Sequence, residues 1–154
     1  MKKLYAVILS ICLILPLAPR TVHAAKLPVC ETSEIVWQDD DFSIVMTLTM
    51  YDSDFAERAT TTKTASKRYD IVDKNSIVRA TYMLSGTFTY TGTSSTCTFA
   101  DCTASTDGTW SFLYKEAHKQ GIQAVGSFNA EHNNSIQTIS KTLTITCSAT
   151  GQIS

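Results

Sequence analysis

The stretch VRATYMLSGTFTY, residues 78–90, decides the fold. Val78, Ala80, Tyr82, Leu84, Gly86, Phe88 and Tyr90 fall on one side of an extended chain. Arg79, Thr81, Met83, Ser85, Thr87 and Thr89 fall on the other. A period of two, sustained in a run rich in threonine and aromatic residues, describes a strand with one buried and one wet face. Gly86 is expected to mark a bend or bulge within it.

The same rhythm recurs on both sides of this run. Phe42, Ile44, Met46, Leu48 and Met50 alternate with Ser43, Val45, Thr47 and Thr49. Trp110, Phe112 and Tyr114 share one face, as do Ile122, Ala124, Gly126, Phe128 and Ala130, and then Ile139, Lys141, Leu143, Ile145 and Cys147. Turn-forming residues separate the runs at positions 73–76, 91–92, 107–108, 118–121 and 133–135. Seven or eight such strands predict an all-β fold, an antiparallel, immunoglobulin-like β-sandwich. Residues 55–66 are the only helix-compatible stretch; their four threonines disfavour helix and suggest a loop or ragged edge strand. No repeat and no Pro- or Gly-rich break divides the pattern, so one domain over residues 25–154 is expected.

The beginning of the chain reads differently. Lys2 and Lys3 precede an apolar run from Leu4 to Leu15, and Val22-His23-Ala24 supplies a cleavage pattern. Residues 1–24 are therefore expected to be a cleavable signal peptide, with export to the extracellular space and loose retention at the cell surface as a variant. Pro16 and Pro19 interrupt the run before it reaches the roughly 20 apolar residues of a membrane span. Cys12 does not suit lipidation, because Ile11 is bulky and cleavage there would halve the apolar run. Cleavage takes three of the 13 basic residues and none of the 14 acids, leaving a net charge of −4. A mildly acidic chain without a basic cluster argues against nucleic acid as a partner.

Four cysteines follow the cleavage site: Cys30, Cys97, Cys102 and Cys147. An even count in an exported chain suggests two disulfides, with three connectivities open. Cys97 shares the parity of Phe99, and Cys147 that of Leu143 and Ile145, so both are expected in the core. A link between them would close a loop of roughly 50 residues, worth about 4 kcal/mol in the chain-entropy model. Cys102 lies in a polar, loop-like stretch and Cys30 near the new N-terminus, so pairing those two would pin the first segment. A local Cys97–Cys102 bridge is the competing connectivity. Zinc is disfavoured because only Cys97 and Cys102 are close in sequence.

The segment from Tyr69 to Gly151 resembles a group of small secreted proteins of Gram-positive, Firmicutes-type bacteria that have no characterised activity. The residues carrying the resemblance are 85–92 (SGTFTYTG), 96–98 (TCT), Trp110, Gly121, 126–128 (GSF) and 137–148 (QTISKTLTITCS). It covers over half of the exported chain and implies that Cys97 and Cys147 are partners. Cys30 and Cys102 then stand as additions in this chain. It carries no catalytic or ligand-binding residue across.

Candidate chemistry is sparse. A hydrolase needs a nucleophile, a base and an orienting group converging in space. The histidines available are His118, in an expected turn, and His132, at a strand end, with no nucleophile-elbow motif beside them. Asp39, Asp40, Asp41, Asp52 and Asp54 are oxygen ligands of the kind calcium takes, but their spacing is not that of an EF-hand and solvated turns explain them. Trp110 is expected in the core, packed on a disulfide. Trp37 is the better candidate for an exposed sugar-stacking platform. Lys67-Arg68 reads as a solvated basic pair on an edge, and Asn133-Asn-Ser135 as a turn. No metal and no cofactor are expected. The function expected is a non-enzymatic extracellular module contacting a cell-surface or other extracellular macromolecule. Carbohydrate binding and a small secreted hydrolase or effector are the alternatives.

Overall fold

The computed structural model describes residues 30–52 and 61–154. The expected signal peptide, Cys12 and Asp54 lie outside the described residues. Among these there is no helix; eight antiparallel strands form two sheets. They are β1 (Cys30–Gln38), β2 (Phe42–Asp52), β3 (Thr61–Asp73), β4 (Val78–Tyr90), β5 (Ser95–Thr106), β6 (Trp110–Gln120), β7 (Gln123–His132) and β8 (Thr138–Thr146). The first five make one sheet in the order β1-β2-β3-β4-β5, and the last three make the other, β6-β7-β8.

The expected antiparallel sandwich is present, but its connectivity is not that of an immunoglobulin domain. Each sheet is a meander in which strand order follows the chain, without the Greek-key crossings of that arrangement. Among the described residues, short turns join neighbouring strands within each sheet.

The core lies where the sheets overlap. β3 faces β8, β4 faces β6 and β7, and β5 faces β7. Ala80, Tyr82, Leu84 and Phe88 of β4 meet Ala124, Phe128 and Ala130 of β7 and Ile139, Leu143 and Ile145 of β8, all buried. Each fully buried large side chain stabilises the fold by about 1.5–3 kcal/mol. Tyr82 stacks on Phe128 with centroids 4.8 Å apart, and its hydroxyl crosses the interface to donate to the Glu116 carbonyl at 2.7 Å.

Glycines permit this closeness. A Cβ on Gly86 would lie 2.8 Å from the Ala124 Cβ, and one on Gly126 would strike the Tyr82 hydroxyl. Gly86 is therefore not a bend or bulge; it lies in regular register opposite Ala65 and Ala100, and its missing side chain is filled from the other sheet.

Bulges sit elsewhere, and each reverses the strand's parity. Thr98 is the extra residue in β5, so Cys97 points inward while Phe99 is 54% exposed, correcting their expected common face. Beyond it Ala100, Cys102 and Ala104 turn toward the core. Leu113 is the extra residue in β6, which sends Tyr114 to the outer surface although Trp110 and Phe112 point inward. Residues 61–66 belong to β3, an interior strand, where their threonines and small residues suit half-buried sheet surface.

Candidate binding surfaces

Four turns meet at one end of the sandwich: residues 39–41, 74–77, 107–109 and 133–137. Between them lies a cleft of about 390 Å³ whose wall includes Asp41, Phe42, Asp73, Arg79, His132 and Gln137. The acids in it act first as turn caps. Asp39 accepts from the Asp41 and Phe42 amides at 2.9 and 2.8 Å, and Asp73 from those of Asn75 and Ile77 at 2.8 and 2.9 Å. Asp107 accepts from the Thr109 amide at 2.8 Å and its hydroxyl at 2.6 Å. These are the short-range bonds that make aspartate a turn-forming residue.

Arg79 ties the turns together. It is the bulged residue of β4, and its guanidinium reaches Asp73 at 2.7 Å and Asp107 at 2.9 Å. The Thr109 hydroxyl, Arg79 and the Thr109 amide hold the Asp107 carboxyl down at about 2. The Ile77 amide, then Arg79 and the Asn75 amide, hold Asp73 below the usual carboxylate range. Both are ionised at neutral pH and already fully engaged.

The aspartates that could serve calcium do not converge, for a geometric reason. Asp39–Asp41 form the β1–β2 turn, whereas Asp52 ends β2 at the opposite pole, about 33 Å away along an extended strand. No group of three or more metal-ligating side chains occurs among the described residues.

The two histidines do not meet either. His118 is in strand β6, not a turn, exposed and opposite Val125. His132 ends β7, roughly 23 Å further along. Its ring packs edge-on to Trp110 and tilted on Phe42, and its Nδ1 accepts from the Asn134 amide at 3.3 Å.

Trp110 is buried, as expected, against Phe42 at 5.3 Å and with its indole N–H unpaired. Cys97 and Cys147 lie at the other pole, beside the β6–β7 turn, so the tryptophan does not pack on that pair. Trp37 is half-buried against the core and opposite Ile44, not an exposed platform, because the Val36 bulge turns it inward. Lys67 and Arg68 are separated by the strand period, one on each face of β3. The half-buried Lys67 ammonium donates to the Thr144 carbonyl of β8 at 2.6 Å, and burial lowers its pKa. Arg68 pairs with the buried Asp70 at 2.9 Å.

All four cysteines are free thiols in the structure. Cys97 and Cys147 are buried on either side of the β6–β7 turn, their amides donating to the Gly121 and Ile122 carbonyls at 2.8 and 3.1 Å. Ser95 bridges them further, its hydroxyl donating to the Cys147 carbonyl at 2.5 Å. Burial raises both thiol pKa values, and the neighbouring Cys97 adds to the rise at Cys147. Cys30 and Cys102 do not come together. They lie on opposite edge strands of a five-stranded sheet, about 19 Å apart, against the roughly 7 Å between Cα atoms that a disulfide spans. The local alternative fails too, since Cys97 and Cys102 are about 16 Å apart along β5.

The outer face of β6-β7-β8 is a surface that sequence parity did not reveal. Register sets Tyr114 beside Asn129 and Asn129 beside Ser140. In the next row Glu116 neighbours Ser127, and the Ser127 and Thr142 hydroxyls are 3.1 Å apart. A depression of about 310 Å³ lies over these residues. The Asn129 Oδ1 in its wall is buried without a hydrogen-bond partner, a state that costs about 1–3 kcal/mol if left unmet. Tyr114 is 47% exposed, and hydrogen bonding to the Glu116 carboxylate pushes its phenol pKa up.

No protein-family model matches the chain, and no curated protein or solved structure is significantly similar to it. The fold and these surfaces are therefore the ground on which function is argued.

Proposed function

We propose that the chain is an exported, non-enzymatic interaction module that contacts an extracellular or cell-surface macromolecule through the faces of its sandwich. One observation carries this reading: at the pole where four turns meet, the ionisable groups are engaged in building the scaffold. Arg79 grips Asp73 and Asp107, the aspartates cap turns, and His132 is hydrogen-bonded and packed among aromatic rings. The outer strand faces, by contrast, present hydroxyls and solvent-exposed Leu113 and Tyr114 on a rigid framework. Rigid sheets bearing exposed aromatic and hydroxyl side chains suit recognition more than turnover. The charged, apolar and cleavage-like segments of residues 1–24 support the reading as well, because they match an export signal.

The test is retention of the purified chain, starting at Ala25, on intact bacterial cells. Saturable retention without turnover of ester, peptide or glycoside substrates is expected. Absence of saturable retention, together with substrate turnover abolished by His132→Ala or His118→Ala, overturns the proposal in favour of a hydrolase.

A further inference from the structure

The geometry points to the outer face of β6-β7-β8 as a carbohydrate-binding surface, with Tyr114 as stacking platform and Asn129 as polar anchor. This rests on the reading of the chain as a binding module and names its ligand class, a neutral hexopyranose unit within a polysaccharide.

The argument begins with the Leu113 bulge. Without it Tyr114 would follow Trp110 and Phe112 into the core; with it the ring stands on the solvent face, 47% exposed, next to the more exposed Leu113. Bulges that re-aim a side chain concentrate at functional sites. An exposed aromatic ring offers flat apolar area to the C–H face of a pyranose, and its phenol oxygen adds a polar edge. Glu116, one row further along the same face, sets a carboxylate beside the ring.

The residues around the ring are those that read sugar hydroxyls. Asn129, directly opposite Tyr114, offers an amide whose oxygen has no partner within the protein. Ser127, Ser140 and Thr142 supply hydroxyls that both donate and accept, and Glu116 an acceptor beside them. That oxygen is shielded from solvent in the free protein, but the broad χ2 torsion of asparagine lets the amide turn into the depression, where a ligand rich in hydroxyl donors satisfies it and an apolar peptide side chain does not. The depression carries no cluster of cations to favour a phosphate or other strongly anionic ligand; Lys141 is the one basic residue in its wall.

The experiment is affinity electrophoresis of the chain from Ala25 in gels containing cellulose derivatives, laminarin, xylan, mannan, starch or soluble peptidoglycan. Retardation by at least one neutral polysaccharide is expected. Tyr114→Ala should weaken it about tenfold or more, Asn129→Ala by several-fold, and Tyr114→Trp should retain it. Melting temperatures of the variants should stay near that of the parent, because the ring lies on the surface. Retardation by none of the polysaccharides, or by all variants equally, overturns the inference. Saturable retention on cells that survives periodate destruction of their glycans would sink this inference while leaving the broader interaction reading in place. Loss of all retention on untreated cells counts against both.

Discussion

Gly126→Ala probes how closely the two sheets approach. Gly126 lies at the centre of β7, and its φ is outside the left-handed region, so alanine meets no backbone strain there. The obstacle is steric. The new Cβ strikes the Tyr82 hydroxyl, and it sits 2.9 Å from the Leu84 Cδ1 and 3.4 Å from the Glu116 carbonyl oxygen. Tyr82 is stacked on Phe128 and 1% exposed, so it has little room to retreat. Displacing it forfeits its hydrogen bond to Glu116, about 1 kcal/mol net. Overpacking adds about 1–3 kcal/mol, and the stiffer unfolded chain returns about 0.4–1 kcal/mol. The expected net loss is about 2–3 kcal/mol, or roughly 6–12 °C in Tm for a domain of this size. Thermal unfolding followed by circular dichroism measures it. The sharper test is the double variant Gly126→Ala/Tyr82→Phe, in which the alanine methyl enters the space the hydroxyl leaves. Its cost should fall short of the sum of the single variants by about 1 kcal/mol or more. Strict additivity, or a Gly126→Ala protein melting within a degree of the parent, would refute the close approach of Tyr82 to Gly126.

Two further predictions concern the poles of the sandwich. Peptide mapping of the chain from Ala25, purified under oxidising conditions and mapped without reduction, should find Cys97 joined to Cys147, with Cys30 open to alkylation in the folded state. Cys97→Ser should then lose about 4 kcal/mol under oxidising conditions and far less in reductant, and recovery of an alkylated Cys97 from unreduced protein would contradict the pairing. At the other pole, Asp107 and Asp73 titrate lower in the folded chain than in the unfolded one. Their contribution to stability is therefore complete above about pH 4 and is lost as pH falls toward about 2. Asp107→Asn should flatten the decline of Tm across that window, and an unchanged slope would show that the Arg79 bridge contributes nothing.

How much of this was legible in the sequence depends on whether a strand keeps its parity. The runs at residues 80–90, 123–130 and 139–147 alternate without interruption inside the sandwich, and their inward faces match the observed core; before the first of them the Arg79 bulge turns Val78 outward, 48% exposed and not on the inward face its parity predicts. Where one extra residue enters, the period of two restarts out of phase. Thr98 and Leu113 have no side-chain feature that announces a bulge, so Phe99 and Tyr114 were expected inside and Cys102 in a loop. Lys67 and Arg68 look like one basic patch only until β3 is known to be an interior strand. The disposition of the aspartates was hidden for another reason: Asp39 and Asp52 are neighbours across a strand in sequence, and that same strand holds them at opposite ends.

The bulges are also what separates scaffold from surface. A strand in strict alternation commits every second residue to the core, and the side chains left outside are those a solvated sheet tolerates, mostly threonine and serine. The Leu113 bulge breaks that allocation once in the three-stranded sheet, and the residue it releases is an aromatic one. The unpaired Asn129 amide oxygen lies beside it, at the one ladder position that faces Tyr114. Folding alone gives no reason for that pairing: burying the ring would stabilise the core, and a serine or threonine at 129 would leave no orphaned amide. Two local departures from optimal packing, adjacent in space and unrelated in cause, are accounted for together if the surface they form has a ligand.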